Sequence, residues 1–189
     1  METIGPEKLL FDLIPILEKV GIKYFITGGL AVSVWGRPRA TFDIDIVVQM
    51  VSPQLKPLAQ ALKKMSSAGY LDEETALDAI NNKGEFSFID SDTGFKIDFW
   101  VLKEGKETDI AYGRRITKVI GKQKIYFISP EDLVVNKLLW HRESDSSRHL
   151  EDIESIIKIS KNIDLTYIKK RIKDGESLNV FLGLLNKNK

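Results

Sequence analysis

The chain has 189 residues, enough to bury a real core, and its 43% hydrophobic and 29% charged residues are those of a globular chain. Its 28 Lys and Arg nearly balance 27 Asp and Glu, so a net charge of +1 names no partner, and a nucleic acid would need a local basic patch. The absence of cysteine excludes disulfides, thiolate catalysis and Cys-ligated zinc, and two histidines leave little for a His-rich metal site. The opening METIGPEKLL lacks a basic segment followed by an apolar run, and no stretch approaches about 18 consecutive apolar residues. The expectation is a soluble, cytoplasmic protein with no membrane partner.

The first predicted element is a helix. PEKLLFDLIPILEKVG sets Leu9, Leu10, Leu13, Ile14 and Leu17 at helical spacing and stops at Gly21, with Pro15 expected to interrupt or kink it. KYFITGG is a short strand ending in a glycine turn, LAVSVWG one or two helical turns, and FDIDIVVQM a strand. SPQLKPLAQALKKMSSAG opens on a Ser-Pro start and is a helix to Gly69. GEFSFID and GFKIDFWVLK are two strands around the turn SDTG, and KQKIYFIS is another strand. SPEDLVVNKLLWHRES repeats the Ser-Pro start with acids in its first turn, which suits a helix N-terminus. SSRHLEDIESIIKISK, DLTYIKKRIKDG and ESLNVFLGLLNK complete a helical end. The division falls near Ile128–Pro130, mixed α/β before it and all-α after it.

One strand carries an anomaly. With a side-chain period of two, Asp43 and Asp45 project to one face, about 7 Å apart, while Ile44, Ile46 and Val48 point the other way. A solvated acidic face on an edge strand would explain the pair, and for an isolated D-x-D that is the better explanation. Two carboxylates on one strand repel, however, and a divalent cation removes the repulsion, since Mg²⁺ takes one or two carboxylates with water and phosphate oxygens. A third acid, Asp98, interrupts the apolar run FKIDFWVL, where an Asp is rarely placed unless it is paired or ligating. Beside the first strand it would complete three carboxylates on one sheet face, the arrangement that clamps a triphosphate. Gly28 and Gly29 lie where a strand turns into a helix, so backbone N–H groups there can approach phosphate.

In combination, G-G-x-A, an arginine, T-x-D-I-D-I and a later apolar-flanked Asp resemble the nucleotidyltransferase superfamily to which DNA polymerase β belongs. GGLAVSVWGRPRATFDIDIVV looks most like the small enzymes grouped with the AbiEii toxin-type nucleotidyltransferases, and is also similar to those that modify lincosamide antibiotics. SPEDLVVNKLLWHRESDSSRHLEDIESI fits the first grouping: a helical Lys, a charged connector with Arg, then an Asp, here Lys137, Arg142 or Arg148, and Asp152. The resemblance runs over residues 22–157. It departs at Gly29, where the superfamily often has Ser.

The resemblance implies an α+β fold: a small mixed-sheet nucleotidyltransferase core with flanking helices over residues 1–129, then an α-helical region over 130–189. It implies an enzyme moving a nucleoside monophosphate from an NTP to a hydroxyl or phosphate on RNA such as tRNA, protein or a small molecule. Asp43, Asp45 and Asp98 would be catalytic and hold Mg²⁺ or Mn²⁺; Gly28 and Gly29 would cradle phosphates. Arg39, or alternatively Arg37, would offset charge, with Lys137, Arg148 and Asp152 completing the nucleotide site. Lys137 is otherwise a surface lysine, and the arginines otherwise solvated loop charges. A toxin role would bring an antitoxin partner. A non-catalytic nucleotide- or partner-binding relative, or an antibiotic-modifying enzyme, are the alternatives; all three acids are present, which favours activity. His141 and His149 are expected at the surface. Lys169, Lys170, Arg171 and Lys173 offer a modest basic face.

Overall fold

A computed structural model describes residues 6–102 and 106–187. In chain order they form α1 (Pro6–Val20), β1 (Lys23–Ile26), α2 (Gly28–Trp35), β2 (Asp43–Gln49), α3 (Leu55–Met65), β3 (Tyr70–Leu71) and α4 (Glu73–Asn82). There follow β4 (Glu85–Ile89), β5 (Lys96–Val101), α5 (Lys106–Gly113), β6 (Ile116–Ile120) and β7 (Gln123–Phe127). The chain ends in α6 (Pro130–Ser144), α7 (Ser147–Ile159), α8 (Leu165–Arg171) and α9 (Gly175–Lys187). The described residues divide into two compact units, one drawn from Met1–Leu30 and Ala40–Phe127, the other from Ala31–Arg39 and Ile128–Lys189.

The first unit holds a mixed sheet in the order β3-β4-β5-β2-β1-β7-β6. β2 runs antiparallel to β1 and parallel to β5, and β1 runs parallel to β7; the remaining neighbours are antiparallel. The alternation seen in the sequence is realised: Ile44, Ile46 and Val48 are fully buried, as are Ile97 and Phe99 beside them. Phe99 stacks on Phe86 of β4 at 4.8 Å between ring centres. The leucine stripe of α1 is buried, and α1 packs against α3 and the β1/β2 pair. α1 is one continuous helix despite Pro15. Proline has no N–H for the carbonyl four residues back, so the Phe11 carbonyl loses its helical donor. The Gln123 side chain supplies the replacement, its Nε2 donating to Phe11 O at 3.0 Å.

β3, α4, α5 and β6 are elements that the sequence patterns do not disclose. α4 buries only Ala76, Ala79 and Ile80, and is started by Asp72, whose side chain accepts from the N–H groups of Glu74 and Thr75. β6 is an edge strand without a clean alternation, with Val119 exposed. The first Ser-Pro start is a single 3₁₀ turn at Ser52–Gln54 leading into α3.

In the second unit α7, α8 and α9 pack on α6. Leu133, Val134, Leu138, Ile153, Ile156, Ile168 and Phe181 form its core. Ser129 caps α6 by accepting from Asp132 N at 3.1 Å, and Pro130 fills the first helical position. The Ala31–Arg39 segment is tied in by Trp35 Nε1 donating to Ile128 O at 2.9 Å, and by Ser160 Oγ donating to Trp35 O at 2.7 Å. At Gly36 the backbone passes so near α7 that a Cβ would lie 2.4 Å from Ser155 Oγ.

Candidate active site

The candidate residues fall into two groups, one in each unit. In the first unit, Asp45 lies directly opposite Asp98 on the parallel pair β2/β5, and Asp43 directly opposite Lys96. Side chains paired this way share a face, so Asp43, Asp45, Asp98 and Lys96 all project from one side of the sheet. Ser87 of β4 lies opposite Asp98 on the other flank. The face opposite to theirs is the one that buries the isoleucines, which is why a strand so apolar can present two acids.

The three acids differ in what surrounds them. Asp98 is buried, with Lys96 Nζ 2.9 Å from Oδ2 and Ser87 Oγ donating to Oδ1 at 2.6 Å. Asp43 and Asp45 are half-exposed. Asp45 is held against the start of α2: Thr27 N donates to its backbone carbonyl at 2.9 Å, and Gly28 faces its carboxylate. Gly28 has φ +60°, and a Cβ built there would sit 1.7 Å from Asp45 Oδ2. Backbone and carboxylate thus share a space that no side chain can enter, and glycine is required twice over, by its left-handed conformation and by the contact. Gly28→Ala should destabilise the fold by roughly 2 kcal/mol or more, with Asp45 displaced. A chemical denaturation midpoint within error of wild type would contradict this contact.

A fourth acid joins the same face. Glu85 lies two residues before Ser87 on β4, and its carboxyl is pushed above the ordinary range by partial burial, then by the charges of Asp98 and Asp45, against the lowering effect of Lys96. The sequence holds the signal, since E-x-S at the start of GEFSFID alternates onto one face, but only the strand's position beside Asp98 gives it meaning. Lys96 is a second group that the motifs leave out; K-x-D in FKID is an i,i+2 pair on one strand face. Among the described residues, no three His, Cys, Asp or Glu side chains gather closely enough to close a metal shell by themselves.

In the second unit Asp152 of α7 is the centre of an ionic triad. Arg39 grips it with two bonds, Nε to Oδ1 at 2.9 Å and Nη2 to Oδ2 at 3.1 Å, and Lys137 Nζ lies 2.9 Å from Oδ2. Lys137 and Asp152 are each only 3% exposed. The surface-lysine alternative for Lys137 is thereby excluded: α6 is buried on most of its circumference, and a lysine there needs a carboxylate. Burial drives the Asp152 carboxyl up, but the Arg39 hydrogen bonds and the Lys137 charge prevail and hold it below the usual range. Lys137 Nζ also lies 5.2 Å from the centre of the Trp140 ring, which is 6.0 Å from the His149 ring.

Neither histidine is fully at the surface. His149 is half-buried, its Nδ1 makes no hydrogen bond, and burial and then Lys137 depress its pKa. His141 is half-buried with Nδ1 3.1 Å from Ser146 O. Arg148 is exposed and makes no ion pair with Asp152, while Arg142 pairs with Asp174 at 3.0 Å. Arg37 is exposed on the segment before β2. No helix among the described residues is long and apolar enough to cross a membrane.

Several solved structures share this fold. The solution structure of the antibiotic-resistance factor ANT(2'')-Ia superposes with a TM-score of 0.61 at 14% identity, covering 96% of this chain and 95% of that one. The lincosamide antibiotic adenylyltransferase LnuA, lincomycin-bound, gives 0.57 at 17% identity over 84% of this chain and all of that one. An antigenic nucleotidyltransferase-like protein from Paracoccidioides brasiliensis gives 0.57 at 17% identity, over 94% and 87%. At such identities the likeness is one of fold. No curated protein matches in sequence. A family model does match, over residues 10–188, and the narrower AbiEii-type grouping is not part of that match. The chain belongs to the DUF6036 family, described as nucleotidyltransferases of unknown function.

Proposed function

We propose that this nucleotidyltransferase moves a nucleoside monophosphate from an NTP to a hydroxyl or phosphate acceptor on the acidic sheet face, with Asp43, Asp45 and Asp98 carrying the reaction. The observation that supports it most is the register of β2 and β5, which sets Asp45 opposite Asp98 with Asp43 two residues away. The acceptor oxygen attacks the α-phosphorus, the bond to the bridging oxygen breaks, and pyrophosphate leaves. The donor set fits a hard divalent cation that arrives with the nucleotide. Asp43 and Asp45 are two accessible carboxylates on one face, Asp98 is a third once released from Lys96, and the remaining positions around Mg²⁺ or Mn²⁺ would be filled by phosphate and water. When bound, such a cation would offset the triphosphate charge. Gly28 leaves open the space that the Asp45 carboxylate occupies beside the start of α2. Asp98 is the acid nearest a role as base toward the acceptor, provided its contacts with Lys96 and Ser87 open. Phosphate-directed roles for Gly29, Arg39, Lys137 and Arg148 rest on the resemblance of the motifs, and so does a toxin role with an antitoxin partner.

Incubation with each α-labelled NTP, Mg²⁺ and acceptor pools of total tRNA, protein and small metabolites tests the reaction. Label from the α-position should enter an acceptor while a γ-label leaves as pyrophosphate. Transfer of γ-label in place of α-label would overturn the assignment, and so would α-transfer that survives replacement of Asp43 and Asp45 together.

A further inference from the structure

The acidic face carries a cation of its own, Lys96. Its Nζ lies 2.9 Å from Asp98 Oδ2, its backbone pairs with that of Asp43, and its side chain is 40% exposed while that of Asp98 is 7% exposed. Ser87 takes the other oxygen of Asp98. Each oxygen of the most buried acid therefore already has a protein partner, and a cation approaching Asp98 meets the Lys96 ammonium at Oδ2 and the Ser87 hydroxyl at Oδ1. An ammonium on a flexible stem, rooted two residues along the same strand face, is a tethered monovalent substitute for a divalent ion. Charge balance points the same way, because Lys96 answers acids on three strands: Asp43 on β2, Asp98 on β5 and Glu85 on β4.

Resting on the nucleotidyltransferase reading above, we infer that Lys96 is a positioning residue that competes with the divalent cation for Asp98. It holds the acids together when no nucleotide is present and yields Asp98 only to a cation that brings phosphate oxygens of its own. Free Mg²⁺ or Mn²⁺ then binds weakly, and the cation enters as its nucleotide complex. This makes Asp98 unavailable to act on an acceptor before the donor nucleotide is in place.

A lysine that merely props Asp98 in shape predicts the opposite sign, which makes the test decisive. Mn²⁺ binding to the full chain without nucleotide is measured by the loss of its free-ion electron paramagnetic resonance signal, and binding of a labelled non-hydrolysable ATP analogue with Mn²⁺ is measured by equilibrium dialysis. Lys96→Met should bind Mn²⁺ alone at least about tenfold more tightly than wild type, because a positive charge beside a ligand oxygen has been removed. Lys96→Arg, which keeps the charge, should stay near wild type. Lys96→Gln provides the same reading if the Met variant does not fold. Unchanged or weaker Mn²⁺ binding in the Met or Gln variant would overturn the competition. If wild type fails to retain the ATP analogue in the presence of Mn²⁺, the nucleotidyltransferase reading itself falls, whatever the variants do.

Discussion

Asp45→Asn should leave the nucleotide-free protein as stable as wild type or slightly more so, while abolishing its response to Mg²⁺ and NTP. The substitution keeps the shape that fits against Gly28, where the Asp45 carboxylate occupies the space a side chain would take. It removes one negative charge from a face that also carries Asp43, Asp98 and Glu85, and the raised carboxyl of Glu85 is partly the work of Asp45. Relief of that repulsion favours the folded state. An amide is a poor ligand for a hard cation, so nucleotide-dependent transfer should fall by roughly a hundredfold or more. Thermal melts of both proteins, with and without Mg²⁺ and NTP, separate this from a structural Asp45. A lowered melting temperature without ligand, with the ligand-induced rise intact, would mean that Asp45 serves the fold instead.

Asp152→Ala should destabilise the protein more than any substitution on the acidic face. It removes the carboxylate that Arg39 and Lys137 both contact, in a place where Asp152 and Lys137 are almost wholly enclosed. Taking one partner from a buried ion pair costs about 3–5 kcal/mol, because the remaining charge keeps its burial and loses its counter-ion. Lys137→Met should cost less, since Arg39 still answers Asp152 with two hydrogen bonds. A surface lysine could be removed with little effect on folding; the buried Lys137 cannot. The pH dependence follows from the depressed Asp152 carboxyl. Its contribution is complete above the ordinary carboxylate range and is lost as pH falls through the lower folded-state value. The deficit of Asp152→Ala should accordingly shrink below about pH 4. Urea denaturation at pH 7 and pH 3 measures both; a loss under about 1 kcal/mol at pH 7 would show that the triad is not a stability element.

How much of the fold and the site is legible in the sequence depends on the range of the interaction. The acids can be placed on one face from alternation alone, because Asp43 and Asp45 are two residues apart on a strand whose other face is isoleucine and valine. That Asp98 stands opposite Asp45 needs the pairing of β2 with β5, which alternation suggests and register decides. Lys96 escapes notice because a lysine in a strand reads as solvent-facing until its neighbour is found to be a buried carboxylate. The continuity of α1 across Pro15 is not legible at all, since the donor that makes good the missing N–H is Gln123, 112 residues further along the chain. Arg39 and Asp152 both stand out as candidates, but their bidentate contact joins residues 113 apart. The weakly patterned elements β3, α4 and β6 escape because edge strands and alanine-faced helices bury too little to leave a strong period.

On the proposed reading a cation and a triphosphate bind together on the acidic sheet face. A crystal structure of the protein with Mn²⁺ and a non-hydrolysable ATP analogue, with anomalous scattering used to locate the metal, tests it directly. Manganese should lie within coordination distance of the Asp43, Asp45 and Asp98 carboxylates, together with the triphosphate, and the Lys96 ammonium should have moved off Asp98. Manganese and nucleotide bound elsewhere, with the acidic face empty and Lys96 still seated on Asp98, would contradict it.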